Sequence, residues 1–267
     1  MSTKLNKYVT VRFYEELNDF LSDSKKKKRY KINISGRQTV KDLIESQGIP
    51  HTEIDLILVN SKPVKSDYII RDRDDISVYP VFESFDISTV TLIENRPLRD
   101  PKFVLDVHLG RLAKYLRVMG FDTLYRNDYS DNEIVEISLK EKRIILTRDK
   151  GLLMRNAVQR GYWVRNTSVK AQASEVIKRF NFFSLISPFK RCIECNGLIE
   201  PISKETILDL IQPGTKKYFN EFFRCTGCMK VYWKGSHYGR MNEFIKGVIS
   251  EQGNTSNNPD LLYREIN

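Results

Sequence analysis

The chain has 267 residues, 40% of them hydrophobic and 29% charged, with a formal net charge of +10. That length has room for two or three compact units, and no run approaches the roughly 18 apolar residues of a membrane span. The start, Met1-Ser2-Thr3-Lys4-Leu5-Asn6-Lys7, lacks the apolar core of a signal peptide, so a cytoplasmic address is expected.

The charge is unevenly distributed. Residues 1–100 carry 17 basic and 16 acidic side chains, residues 101–250 carry 26 and 15, and the remainder carry 1 and 3. A basic block of this kind attracts polyanions through phosphate contacts. The alternative is a charged face that serves solubility.

Val9-Thr10-Val11-Arg12-Phe13 alternates as a half-buried strand, and the run Lys25 to Arg29 reads as a solvated turn before a second strand at Tyr30 to Ile34. Thr39 stands as a cap ahead of helical spacing in Val40-Lys41-Asp42-Leu43-Ile44. Ile54 to Asn60 and Ile76 to Phe82 supply further strands, giving a ββαββ unit. With Leu58-Val59-Asn60 before a turn and Asp74-Asp75-Ile76-Ser77-Val78-Tyr79-Pro80-Val81 near its end, this unit resembles the ubiquitin-like fold of small sulfur-carrier proteins. Such carriers work through a Gly-Gly carboxyl terminus. Here the chain continues through Phe82-Glu83-Ser84-Phe85, so the expected role is binding or positioning, with a protein partner, rather than sulfur transfer.

Residues 86–101 form a connector ending in Arg96-Pro97-Leu98-Arg99-Asp100-Pro101, where two prolines disfavour regular structure. Beyond it, Phe103-Val104-Leu105-Asp106 reads as a buried strand ending in a carboxylate. In the following helix, Leu109, Leu112, Ala113, Leu116 and Met119 share one face, with Arg111, Lys114 and Arg117 on the other side. A strand at Asp122 to Tyr125, a helix from Ser130-Asp131, a strand at Arg143 to Thr147, a helix near Lys150 to Gln159, a strand at Tyr162 to Val164 and a helix at Ala171 to Phe180 follow. The alternation implies a mostly parallel α/β sheet with right-handed crossovers. Asp106 and Asp149 both end strands, and ligands of open α/β sheets bind beyond the carboxyl ends of the strands. Facing carboxylates without a basic partner invite a divalent cation.

Asp131 near a helix start reads by itself as a cap. In Asp106, Asp131 and Asp149 the chain resembles PIN-like ribonucleases, whose acidic residues gather around divalent metal ions. A closer resemblance is to the Mut-seven C-terminal ribonuclease domain family. It rests on Phe103 to Asp106, Leu109-Gly110-Arg111-Leu112-Ala113, Leu116 to Asp122, Asp131-Asn132-Glu133-Ile134 and Arg143 to Asp149, and members of that family also carry an N-terminal ubiquitin-like domain. The resemblance implies hydrolysis of RNA phosphodiesters with Mg²⁺ or Mn²⁺ held by Asp106, Asp131 and Asp149, hard oxygen donors suited to hard cations. Glu133, Asp122 and Thr147 are second-rank catalytic candidates. Arg111, Lys114, Arg117 and Arg148 are the expected phosphate contacts in the core.

Cys192-Ile193-Glu194-Cys195 and Cys225-Thr226-Gly227-Cys228 contain all four cysteines. Paired CxxC knuckles read as a closed, structural Cys₄ zinc site, with two disulfides as the alternative. Beside the second knuckle, Trp233, Lys234, His237 and Arg240 with Tyr232 fit two roles: base stacking with phosphate contact, or packing of the ribbon on the core. The plan is a ubiquitin-like β-grasp domain at 1–85, a linker at 86–101, a PIN-like α/β core at 102–188, a zinc ribbon at 189–242 and a tail at 243–267. Two rivals to a ribonuclease are a noncatalytic RNA-binding adaptor and a phosphoryl-accepting receiver. The receiver fits poorly, because Asp106 is followed by Val107 and His108 rather than by further acids.

Overall fold

In β1 (Tyr8–Phe13), Val9, Val11 and Phe13 are buried and the residues between them are partly exposed, as the alternation requires. The computed structural model describes residues 7–80, 90–93 and 100–255, with the backbone alone for 252–255. β2 (Tyr30–Asn33) pairs antiparallel with β1. α1 (Val40–Ser46) begins at Thr39, whose hydroxyl accepts from the Asp42 amide while the Asp42 carboxylate accepts from the Thr39 amide. β3 (Ile54–Val59), β4 (Lys62–Pro63) and β5 (Asp75–Pro80) complete a sheet of order β2-β1-β5-β3-β4, in which β1 and β5 are parallel. Leu43 and Ile44 of α1 share its core with Val11, Ile57 and Val78.

The connection from β1 to β2 is longer than a hairpin turn. It holds a 3₁₀ segment, Glu15–Phe20, because Leu17, Phe20 and Leu21 recur at a spacing that lets all three enter the core. Val81 to Phe85, the Arg96 to Arg99 part of the connector and the tail beyond residue 255 lie outside the described residues.

From residue 101 strands and helices alternate: β6 (Lys102–Leu105), α2 (Gly110–Val118), β7 (Asp122–Leu124), α3 (Asp131–Glu141), β8 (Ile144–Thr147), α4 (Lys150–Leu153), β9 (Gly161–Trp163) and α5 (Val169–Arg179). β6 and β7 are parallel, with Phe103 opposite Thr123, and β8 and β9 are parallel, with Leu146 opposite Tyr162. Leu109, Leu112, Ala113, Leu116 and Met119 are buried as the helical spacing of α2 predicts. α4 is a single turn rather than a helix to Gln159, since Arg155, Asn156 and Gln159 offer no apolar face to bury. Gly120 ends α2 at φ +97°, and a Cβ there would lie 2.1 Å from the Ser187 carbonyl oxygen, so both conformation and close approach require glycine.

The ribbon comprises β10 (Ile199–Ile202), α6 (Pro213–Tyr218), β11 (Phe222–Cys225) and β12 (Val231–Trp233), its three strands antiparallel in the order β10-β11-β12. Ile207, Ile211 and Phe222 form its small core. α7 (Ser236–Thr255) then occupies much of the expected tail. Ile245 and Val248 are buried, Phe244 meets the Tyr115 ring edge-on at 4.8 Å, and Glu251 pairs with Lys178 at 2.7 Å.

The described chain gathers into two compact units, Met1–Asp100 with Ser130–Trp163 and Pro101–Tyr129 with Val164–Asn267. The first therefore joins the β-grasp sheet to α3, β8, α4 and β9. Among the described residues no helix is long and apolar enough to cross a membrane.

Candidate functional site

Two carboxylates leave the carboxyl ends of parallel strands, and each exit has a backbone cap and an aromatic hydrogen bond to a neighbouring carbonyl. In the first unit, Thr147 is fully buried at the end of β8 and its hydroxyl accepts from the Asp149 amide at 2.8 Å. Asp149 caps α4, its Oδ1 accepting from the Gly151 amide at 2.8 Å. The carbonyl of Arg148 accepts from the indole nitrogen of Trp163, at the end of β9, at 3.2 Å. Thr147 thus shapes the turn that presents Asp149.

In the second unit, Asp106 follows β6 directly, is 6% exposed, and caps a 3₁₀ turn through the His108 amide at 3.4 Å. The Val107 carbonyl accepts from the Tyr125 hydroxyl at 3.0 Å, just beyond β7. In both units an aromatic group from the neighbouring strand thereby fixes a carbonyl next to the aspartate. A Cβ at Gly110 would fall 2.6 Å from the Tyr125 ring, so glycine is needed to let that ring cover the start of α2.

Asp131 is the first residue of α3, and the cap is Ser130. The Ser130 hydroxyl accepts from the Glu133 amide, and the Glu133 carboxylate accepts from the Ser130 amide at 2.8 Å. This box occupies Glu133, a second-rank catalytic candidate. Asp131 has a basic partner: its Oδ2 lies 2.9 Å from Arg155, which also donates to Asn132 at 2.7 Å. Arg155 arrives from the turn after α4, a proximity that chain spacing does not reveal.

Beside the Asp106 exit, in the same unit, opens a cleft of about 1030 Å³. His108, Arg111, Lys114 and Arg126 line it, with Glu194 as its acidic member. Arg111 and Lys114 are exposed as expected, although Lys114 pairs with Glu194 at 3.3 Å. Arg126 forks onto Asp128 at 2.9 and 2.6 Å. His108 and Arg126 were not singled out from the sequence; the signal available was a basic or imidazole side chain within the turns that flank the ends of β6 and β7.

Arg117 has a structural role that the sequence reading did not anticipate. It is 4% exposed and donates to the carbonyls of Thr123 at 2.9 Å, Ile193 at 3.1 Å and Glu194 at 2.8 Å. It therefore clamps the first cysteine knuckle onto α2 and β7, and it also lines the cleft with Arg111 and Lys114. Burial pulls its pKa down while nearby Cys192, Cys195 and Glu194 push it back up. Asp122 has a similar structural role. It pairs with Arg191 at 3.2 Å and accepts from the Asn196 side chain at 2.8 Å, and Asn196 also accepts from the Thr123 amide at 2.9 Å.

The four cysteine sulfurs lie within 4.8 Å of one another, with Cys192–Cys228 at 3.6 Å and Cys195–Cys225 at 3.3 Å. All four are free thiols, so the disulfide alternative is set aside. Zn–S bonds of about 2.3 Å in a tetrahedron place sulfurs roughly 3.8 Å apart, so the cluster fits zinc. A Cβ at Gly197 would come within 2.9 Å of the Cys225 sulfur, which keeps that position small. Burial pushes the Cys192 thiol up, but amides of Cys195 and Glu194 and the Tyr232 hydroxyl outweigh it and bring it down to about 6. Tyr232 lies 3.0 Å from the Cys192 sulfur, and burial with that bond pushes its phenol up, keeping it a donor. Its hydroxyl is thereby tied to the thiol cluster.

Of the remaining ribbon candidates, Trp233 is 39% exposed, Lys234 pairs with Glu221 at 2.5 Å, and Arg240 donates to His237 Nδ1 at 3.0 Å. Tyr218, 72% exposed, stands beside Lys217 and adds an aromatic the sequence reading did not select. Arg148 is exposed at the Asp149 exit.

Fold and site define a β-grasp domain fused to a parallel α/β core that ends in a four-cysteine ribbon. The chain belongs to the Mut7-C RNAse domain family, whose model matches residues 101–245, and a Mut7-C ubiquitin model matches residues 6–86. Membership indicates a nuclease-type role. No curated protein and no solved structure gives a significant match.

Proposed function

We propose that the protein is a divalent-metal-dependent ribonuclease in which Asp106, Asp131 and Asp149 hold Mg²⁺ or Mn²⁺ and the basic cleft along α2 holds RNA. The observation that carries the reading is the matched construction of the two strand exits. Asp106 and Asp149 are each locked by a backbone cap and by an aromatic hydrogen bond to an adjacent carbonyl. Carboxylates fixed in this way are preorganised to take a metal ion, Asp106 from a buried and Asp149 from an exposed position. Three carboxylates are the hard oxygen donor set that such ions prefer. A bound ion supplies a water of lowered pKa and neutralises charge at the scissile phosphate. Arg111, Lys114 and His108 bind and orient the RNA phosphates, and Arg148 stands beside Asp149 for the same purpose. Trp233, Lys234, His237 and Arg240 extend the contact onto the ribbon, whose zinc serves its folding. The RNA and a protein bound by the ubiquitin-like domain are the partners of this reading, and its setting is the cytoplasm.

Asp106→Asn tests the assignment without disturbing the cap, because asparagine caps as well as aspartate. The variant is expected to keep its unfolding midpoint and one zinc per chain while losing metal-stimulated RNA cleavage by about 100-fold or more. Cleavage equal to that of the parent chain would remove Asp106 from the site.

A further inference from the structure

We propose that the ubiquitin-like domain is a positioning element of the nuclease, clamping the segment that presents Asp149 through Phe20 and Glu53. The proposal rests on Asp149 acting as a metal ligand, and it gives the domain a task beyond recruiting a partner.

The β-grasp sequence reaches the Asp149 segment directly through Phe20 and indirectly through Trp163, which Phe20 and Glu53 hold. Trp163 packs against the β-grasp core, its ring 4.8 Å from that of Phe20. Its amide donates to the carboxylate of Glu53 at 2.7 Å, and Glu53 is completely buried. Held at both backbone and ring, Trp163 donates its indole N–H to the Arg148 carbonyl at 3.2 Å. On the other side of Asp149, the Lys150 ammonium lies 4.7 Å from the Phe20 ring and 4.1 Å from the Trp163 ring. Both neighbours of Asp149 are thus fixed by one Phe20–Trp163 pair.

The same surface is anchored further along. Lys41 donates to Asn156 at 2.9 Å, and His51 meets the Val158 carbonyl at 2.8 Å while its other ring nitrogen meets Glu45 at 2.7 Å. These contacts hold the turn between α4, which Asp149 caps, and β9, which carries Trp163. The two rings thus hold the Lys150 ammonium in place beside Asp149. A metal site tolerates displacement of about half an ångström, so a four-residue exit from a strand gains its precision from such support.

The experiment uses the full-length, zinc-loaded chain. Amide hydrogen exchange across residues 147–153 is compared for the parent, Phe20→Ala and Trp163→Phe, which keeps a ring but removes the donor to Arg148. Manganese-dependent RNA cleavage is measured on the same samples. The clamp predicts exchange roughly tenfold faster in that segment, with β3 and β5 unchanged. It also predicts kcat lower by about tenfold with KM for RNA held, and recovery of both in Phe20→Tyr. Unchanged exchange at 147–153 in Trp163→Phe overturns the clamp even where Phe20→Ala fails to fold. Faster exchange in the variants of a chain that cleaves no RNA with any metal upholds the clamp and refutes the ribonuclease reading.

Discussion

Replacing Arg117 with methionine keeps the length of the side chain and removes its donors. Three carbonyls, those of Thr123, Ile193 and Glu194, then lose bonds of 2.8 to 3.1 Å. Hydrogen bonds to a charged group contribute about 1.5–3 kcal/mol each. Relief of the cost of burying a guanidinium, several kcal/mol after relaxation, offsets part of that loss. The expected net destabilisation is about 2–4 kcal/mol, and it falls on the junction between α2, β7 and the first cysteine knuckle. Lysine at 117 should recover less than half of it, since one ammonium cannot fork across three acceptors. Guanidinium unfolding gives the energy, and transfer of zinc to a chromophoric chelator gives the local effect, expected as faster release in both variants. A shift below about 0.5 kcal/mol with unchanged zinc release would refute the clamp role of Arg117, because it would mean that water replaces all three bonds without cost.

Gly120→Ala should destabilise by at least about 2 kcal/mol in thermal unfolding, since a positive φ and a contact with the Ser187 carbonyl both oppose a Cβ. Arg155→Ala removes the partner of Asp131. The pair is 39% and 47% exposed, so stability should change by less than about 1 kcal/mol, while the Mn²⁺ needed for half-maximal cleavage should fall. An unchanged or higher Mn²⁺ requirement in that titration would argue against Asp131 as a metal ligand. Without metal, hydrogen bonds from nearby amides and Tyr232 outweigh burial and hold the Cys192 thiol below its ordinary range, while burial and the neighbouring thiols push Cys225 and Cys228 up. Cys192 is therefore the ligand most readily presented as a thiolate, and its contribution to stability is lost as pH falls through its folded value of about 6. Zinc binding opposes protonation further, so zinc measured after dialysis should be retained at neutral pH and released in acid, below pH 6.

How much of this was legible in the sequence depends on whether the deciding partner was local. The apolar runs before Asp106 and before Thr147-Arg148-Asp149 announced strands ending in carboxylates, and the CxxC pairs announced the thiol cluster, because each signal is contained in a few consecutive residues. The structural role of Arg117 was hidden because it was grouped with Arg111 and Lys114. At roughly 100° per residue it lies about 120° around α2 from Arg111, which turns it toward β7 and the knuckle. The Asp131–Arg155 pair and the Trp163–Glu53 bond join positions far apart in the chain, and no local pattern encodes them. α7 escaped notice because its apolar positions Phe244, Ile245 and Val248 stand among polar residues, and their burial depends on contacts such as that with Tyr115.

The ribonuclease assignment meets its most direct test in one cleavage assay. Protein stripped of divalent ions but retaining zinc is given a mixed panel of labelled RNAs, with and without Mg²⁺ or Mn²⁺, alongside Asp149→Asn. The account predicts cleavage that requires the added metal and disappears in the variant. RNA bound equally by both proteins and cut by neither would contradict it, and would mark the chain as an RNA-binding adaptor.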